Sequence, residues 1–369
     1  MKTLLDYVST VTDIRQEKKI RHKMMDIIIL VFFAMLANAD DWVEMEVFGK
    51  EHEDFLRNYL ELPNGIPSHD TIQRVFAMVP SEFLGNFQKR WNEMLSSNEG
   101  EKIKKLLAID GKTQRGNSSR NQKANHIVSA VDDRGFCLGQ KRVDEKTNEI
   151  KAIPDLLDDL NIKGTIITTD AMGTQTAIVK KIRQKQADYV LALKGNQGNL
   201  LEDVRLYFSD RGFLEKSAYK KTVEKARGKT EKREYWQTDD ITWLSQKKEW
   251  KGLKTLILSR NTISDREGEK KIEERYFISS LPLGIEEIAR AVRGHWMVES
   301  YHWHLDVTFR EDGNHTLEKQ AAYNLNIVRK LSLNILKLIE VGSKALSLKK
   351  KRYAIGTNPE KHLKLIMEL

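Results

Sequence analysis

From Lys23 to Ala37 the chain is apolar nearly all the way round, the pattern of a helix buried at the centre of a small bundle. Trp42 to Phe48 and Glu51 to Leu60 continue with helical spacing, and Leu62-Pro-Asn-Gly-Ile-Pro breaks that pattern into a turn. Ser68 is placed to cap a further helix carrying Ile72, Val75 and Phe76 on one face, and the stretch from Pro80 to Leu95 predicts another. The polar run Ser96-Ser-Asn-Glu-Gly100 reads as a linker closing a helical domain over residues 1–97.

Beyond it the period shortens. Lys105–Asp110, His126–Val131, Phe136–Val143, Gly164–Asp170 and Ala187–Leu193 are short aliphatic or β-branched runs bounded by turn residues, and they predict strands. Ala152–Leu160 and Thr174–Gln186 have helical spacing. Three strands in series, then helix, strand, helix, strand, define an α/β fold with a mixed sheet and flanking helices over residues 98–340. From about 199 to 283 the pattern loosens into charged turns and the runs Gly228–Trp236, Leu253–Ser259 and Arg275–Ser280, read as an all-β insertion. Helices return at Gly284–Arg293 and Glu318–Glu340, and the basic run Lys349–Arg352 with the tail over 341–369 reads as surface.

Composition narrows the function. At 369 residues with 40% hydrophobic and 31% charged positions, the chain has material for a real core. One cysteine, Cys137, excludes an internal disulfide and predicts a reducing, cytoplasmic setting. The longest apolar run, Ile27–Ala37, falls short of the ~20 residues of a membrane span. The N-terminus has acids where a signal peptide would be apolar. An excess of 62 basic over 53 acidic residues, net +9, points to a polyanionic partner such as DNA.

Asp110 follows Leu-Leu-Ala-Ile and Asp170 follows Ile-Ile-Thr-Thr, so each carboxylate stands where an apolar strand stops and a site can open. A carboxylate at a buried strand end is costly unless paired or used; the plainer alternative is a cap on the following turn. Gly111-Lys-Thr lacks the upstream glycine of a P-loop, which disfavours nucleotide hydrolysis. Lys112 and Arg115 can meet phosphates, and a third strand ends in Lys194-Gly-Asn196-Gln197. The segment Arg293 to Asp312 places His295, Glu299, His302 and Asp306 at helical spacing on one polar face. A zinc site there is disfavoured, because the His-Glu-x-x-His arrangement is missing. Carboxylates from two strands and one helix suit hard ions such as Mg²⁺ or Mn²⁺, two of which can serve in-line displacement at phosphorus.

Four stretches carry a resemblance: Leu107-Ala-Ile-Asp-Gly-Lys-Thr-Gln-Arg-Gly, Thr169-Asp-Ala-Met-Gly-Thr-Gln, Asp188-Tyr-Val-Leu-Ala-Leu-Lys-Gly-Asn-Gln, and His295 through Asp312. In this order and spacing they resemble bacterial insertion-sequence transposases of the H-repeat-associated (ISAs-type) family, and the Asp13–Trp91 segment resembles the helical domain preceding their catalytic core. The resemblance implies a ribonuclease H-like core with an Asp-Asp-Glu triad, interrupted by a β-rich insertion. Asp110 and Asp170 would be the aspartates and Glu299 the glutamate, together holding two Mg²⁺ or Mn²⁺ ions. Metal-activated water would cut the element's end, and the freed 3′-hydroxyl would attack target DNA. Implied partners are double-stranded DNA, as terminal inverted repeats and target, and a second copy on paired ends. In the wider superfamily an arginine precedes the glutamate by four residues and a lysine follows it by seven; His295 and Asp306 stand there instead. DNA contact is therefore expected from Lys112, Arg115, Lys194, Asn196, Gln197, His295, His302 and Arg310. The competing readings are a domesticated, catalytically silent DNA-binding regulator and a stand-alone nuclease.

Overall fold

A computed structural model describes residues 4–96, 104–144, 148–226, 228–265, 269–342 and 345–367. Most of the linker expected at Ser96–Gly100 lies outside the described residues. Before it come α1 (Leu4–Val8), α2 (Met24–Leu36), α3 (Trp42–Glu51), α4 (Glu53–Leu56), α5 (His69–Met78) and α6 (Ser81–Ser96). Helix α2 is buried along its length, as its unbroken apolar sequence requires. Ser68 does stand at the start of α5, but its hydroxyl bonds Thr71 Oγ1 at 3.2 Å and makes no backbone cap.

Next come β1 (Leu106–Thr113), β2 (His126–Asp132), β3 (Cys137–Val143), α7 (Glu149–Asp159), β4 (Ile166–Thr169), α8 (Thr176–Gln184) and β5 (Asp188–Leu193). Strands β1 to β3 form an antiparallel meander, and β4 and β5 join β1 in parallel, giving the ribonuclease H-like order β3-β2-β1-β4-β5. The segment expected to be all-β opens instead with two helices, α9 (Gly198–Ser209) and α10 (Arg211–Lys216). Leu200, Val204, Tyr207 and Phe208 of α9 are buried at helical spacing, which fixes its type. The strands that follow, β6 (Ala218–Ala226), β7 (Lys229–Thr238), β8 (Thr255–Ser264) and β9 (Lys270–Ser279), continue the same sheet: β9 pairs antiparallel with β5, giving nine strands. The chain ends with α11 (Ile285–Gly294), α12 (Met297–Val307), α13 (Lys319–Leu338), α14 (Leu348–Thr357) and α15 (Pro359–Met367).

Two layers of helix cover the sheet. One face, with Leu107, Ile109 and Val128, packs against Ile153 and Leu157 of α7, Ile178 and Ile182 of α8, and α9. On the other face Leu106, Ile166 and Val190 lie under α11, while Ala108 and Val131 share a core with α12, α13 and the N-terminal helices. That core runs unbroken from α2 into α13, so the helical region and the sheet are packed as one body.

The C-terminal basic run is not a surface tail. Arg352 is fully buried and Lys351 nearly so, because α14 packs between α2 and α13. Arg352 donates to both Asp40 carboxylate oxygens (2.6 and 3.3 Å) and to Met35 O (2.7 and 3.1 Å), bonds Thr308 O, and lies 4.2 Å over the Phe309 ring. Lys351 donates to Leu336 O and Ile339 O at 2.9 and 2.7 Å, satisfying carbonyls that the end of α13 leaves open.

Candidate active site

The register of the central strands brings two carboxylates together. Parallel pairing of β1 with β4 runs from Leu106↔Ile166 to Ile109↔Thr169, so Asp110 and Asp170, one residue further on, lie side by side. Strand alternation puts Ala108, Asp110 and Lys112 on the same face as Thr168 and Asp170, the face beneath α11 and α12. Asp110 is not at a strand end as expected: β1 continues to Thr113 because β2 keeps pairing with it, through Thr113↔His126. Asp170 does leave the sheet, and its Oδ1 accepts the backbone N–H groups of Met172 (3.0 Å) and Gly173 (3.2 Å), an Asx turn that uses one of its two oxygens.

The third acid comes from α12. The helix expected from His295 to Asp306 forms from Met297 onward: α11 ends at Gly294, His295 and Trp296 make a tight turn, and α12 then carries Glu299, His302 and Asp306. A side chain at Gly294 would collide with Leu106 Cδ2 at 2.1 Å, so this glycine lets the junction press onto β1. Glu299, in the first turn of α12, is exposed, yet its charge still reaches Asp110. Burial, then the charges of Asp170, Glu149 and Glu299, push the Asp110 carboxyl up to about 7. His302 Nδ1 stands 3.6 Å from Asp110 Oδ2, and His295 Nδ1 is 3.0 Å from Thr168 Oγ1. Burial holds His302 down to about 3 and His295 down to about 4, so both imidazoles are neutral at pH 7 and neutralise neither aspartate.

Among the described residues, no lysine or arginine is ion-paired with Asp110, Asp170 or Glu299. Oxygen donors that repel one another and lack a cationic partner are the donor set that Mg²⁺ or Mn²⁺ prefers, so these residues fit such ions. They do not close to within 4.8 Å of one another. The described group that does is Asp306, Glu311 and Asp312, and the Lys112 ammonium sits among them, 2.8, 3.2 and 2.9 Å from their carboxylates.

Sequence reasoning missed Glu149. It opens α7, and its Oε1 lies 2.6 Å from His126 Nε2, where a Cβ on Gly111 would approach it to 2.1 Å. A glycine beside Asp110 gives room for this close approach, but nothing in the sequence names Glu149 as what fills it.

A raised carboxyl has a defined consequence for stability. Between the unfolded value near 4 and the folded value near 7, the native state binds more protons than the unfolded one, so stability falls as pH rises through that window. Metal-free protein is therefore expected to lose more thermal stability between pH 5 and pH 8 than Asp110→Asn does. Melts of both proteins across that range in chelator check this; parallel curves would contradict it.

The expected DNA contacts divide by position. Lys112 is held by its three carboxylates, with a side chain only 12% exposed, so it is not open to a phosphate. Arg310 is held by Asp40 (2.8 Å) and Glu44 (2.6 Å). Asn196 and Gln197 donate to Ala171 O at 2.7 and 3.0 Å, and Gln197 also to Thr174 O at 2.8 Å; they tie the loop after β5 to the Asp170 loop. His295 and His302 point into the protein, toward Thr168 and Asp110. Arg115, 84% exposed though 3.8 Å from Asp312, and the exposed Lys194, whose charge reaches His295, remain open to solvent.

Comparison with known proteins gives the family. The transposase DDE domain matches residues 101–335, and the DDE_Tnp_1-associated region matches residues 5–92. YhhI of Escherichia coli strain K12, named "H repeat-associated putative transposase", is 38% identical over 374 residues, covering 97% of this chain and 96% of its own. YbfL of the same strain has the same identity and coverage, and YncI of E. coli O157:H7 is 38% identical over 371 residues, covering 97% of this chain and 93% of its own. The chain belongs to the DDE transposases, enzymes that use divalent metal and act on DNA. No described helix is long and apolar enough to cross a membrane.

Proposed function

We propose that this protein cuts the ends of an insertion element and joins the freed 3′-hydroxyl to target DNA, with Asp110, Asp170 and Glu299 as its metal-holding triad. The observation that carries the reading is the register that sets Asp110 beside Asp170, with the charge of Glu299 reaching Asp110 and, among the described residues, no lysine or arginine ion-paired with any of the three. Two Mg²⁺ or Mn²⁺ ions held there would supply the Lewis acidity that readies a water or 3′-hydroxyl for attack and steadies the leaving oxygen. The protein's own part is placement. Asn196 and Gln197 brace the loop that presents Asp170, and the neutral His295 and His302 fill the space beside the aspartates without competing with a metal for their carboxylates as charged groups would. Arg115 and Lys194 are positioned to meet the phosphates of DNA entering the site. The substrates are terminal inverted repeats and target duplex, the working form is a homodimer on paired ends, and the setting is the bacterial cytoplasm and its nucleoid.

The test is incubation of the purified chain and Mg²⁺ with DNA carrying the inverted repeats that flank its reading frame, followed by mapping of 3′ ends. The reading expects new ends at the repeat boundary and their covalent transfer to a second duplex. Cleavage without transfer would favour a nuclease; binding with neither would favour a silent DNA-binding regulator.

A further inference from the structure

Two contacts tie α12 to β1 in step. His302 Nδ1 faces Asp110 Oδ2 at 3.6 Å, and one helical turn on, Asp306 Oδ1 meets Lys112 Nζ at 2.8 Å. Four helical residues rise about 6 Å and two strand residues about 6.8 Å, so helix and strand advance together and both contacts form at once. Asp306 lies seven residues after Glu299, within about 20° of the same direction around the helix axis. The contact that fixes Asp306 over β1 therefore also fixes the direction of Glu299 two turns away.

The anchor reaches beyond a single pair. Lys112 also meets Glu311 (3.2 Å) and Asp312 (2.9 Å) in the turn after α12, and Glu311, fully buried, accepts from Gln114 (3.4 Å) and Asn326. The Arg115 backbone N–H donates to Asp312 Oδ1 at 3.2 Å. A Cβ on Gly116 would stand 2.4 Å from Asn314 O and 2.6 Å from Asp312 O, so the chain after β1 is pressed flat against the turn after α12. Among the described residues these acids are the ones close enough to share an ion, and a lysine stands where the ion would.

We propose that Lys112 is a positioning residue that sets the register of α12 on β1, and through it the place of Glu299 over Asp110 and Asp170. The proposal rests on the triad reading above. It separates Lys112 from the phosphate contact that its sequence context suggested, and it makes the Asp306 cluster a clamp filled by protein and not a metal seat.

The experiment measures Mn²⁺ binding to the full chain without DNA, by loss of the free-ion electron paramagnetic resonance signal, alongside DNA affinity and melting in chelator. Variants are Asp306→Ala, Lys112→Met, Lys112→Arg and Asp110→Asn. Asp306→Ala removes only the link to α12 and leaves Lys112 paired with Glu311 and Asp312, so it keeps the fold, whereas Lys112→Met strands the buried Glu311. Asp306→Ala is expected to weaken Mn²⁺ binding by about tenfold or more, the usual cost of losing a group that orients a ligand, with DNA affinity and melting near wild type. Lys112→Arg is expected to restore much of what Lys112→Met loses. Wild-type Mn²⁺ affinity in Asp306→Ala, or tighter binding in Lys112→Met, would overturn the proposal, as would loss of DNA affinity with Mn²⁺ binding intact. Mn²⁺ binding that survives Asp110→Asn would instead overturn the triad reading, so the two failures are distinguishable.

Discussion

Replacing Asp110 by Asn, Asp170 by Asn or Glu299 by Gln is expected to lower DNA cleavage by about 10³-fold or more while leaving DNA binding within a few-fold of wild type. Metal-borne charge stabilisation is worth several kcal/mol in the transition state, and each ~1.4 kcal/mol is tenfold in rate. Binding, in contrast, draws on many phosphate contacts made by other groups. Asp110→Asn also removes a buried charge that Asp170, Glu149 and Glu299 repel, so this variant should melt at or above the wild-type temperature in chelator at pH 8. Loss of activity with gain of stability is the pattern expected of a functional site, and it separates such a site from a structural ion pair, whose disruption lowers both. Single-turnover cleavage and filter binding on the same preparations decide the matter.

Replacing Asp40 by Ala is expected to cost about 3–5 kcal/mol of stability, the range for breaking a buried ion pair and leaving its partner charge unmatched. Asp40 is 4% exposed, and its carboxylate serves Arg352 of α14 and Arg310 after α12. Its backbone oxygen accepts from Asn314 and Arg329, each at 3.0 Å. The start of α3, the turn after α12, α13 and α14 thus meet at one residue. Arg352→Ala should cost a similar amount, because it frees Met35 O, Thr308 O and Asp40 at once. Denaturant unfolding of both variants measures this; changes under about 1 kcal/mol would mean that α14 is an appendage.

Much of this architecture is legible in sequence, for reasons that differ by element. Buried parallel strands such as β4 and β5 must be apolar on both faces, so they stand out, and α2 is apolar all round because it is covered all round. The two aspartates are visible because a charge ending such a run is costly. Strand β6 is missed because it is the edge strand, with Lys220, Lys221 and Lys225 along it and little apolar alternation to read. Helix α9 does carry its period in Leu200, Val204 and Tyr207, but the strand-like runs further on dominate the segment. The sequence around Lys112 and Arg352 misleads for one common reason: a basic side chain is ordinarily solvated or on phosphate, and the acids that bury these two lie some 200 and 312 residues away in the chain. Long-range pairing leaves no local signature, which is also why nothing in the sequence points to Glu149 beside Gly111.

Where a divalent ion settles decides between the two acidic clusters. Crystals of the protein equilibrated with Mn²⁺ and measured at the manganese absorption edge should give an anomalous peak bounded by Asp110, Asp170 and Glu299. A peak among Asp306, Glu311 and Asp312 with Lys112 displaced, or manganese elsewhere with the triad bare, would contradict it.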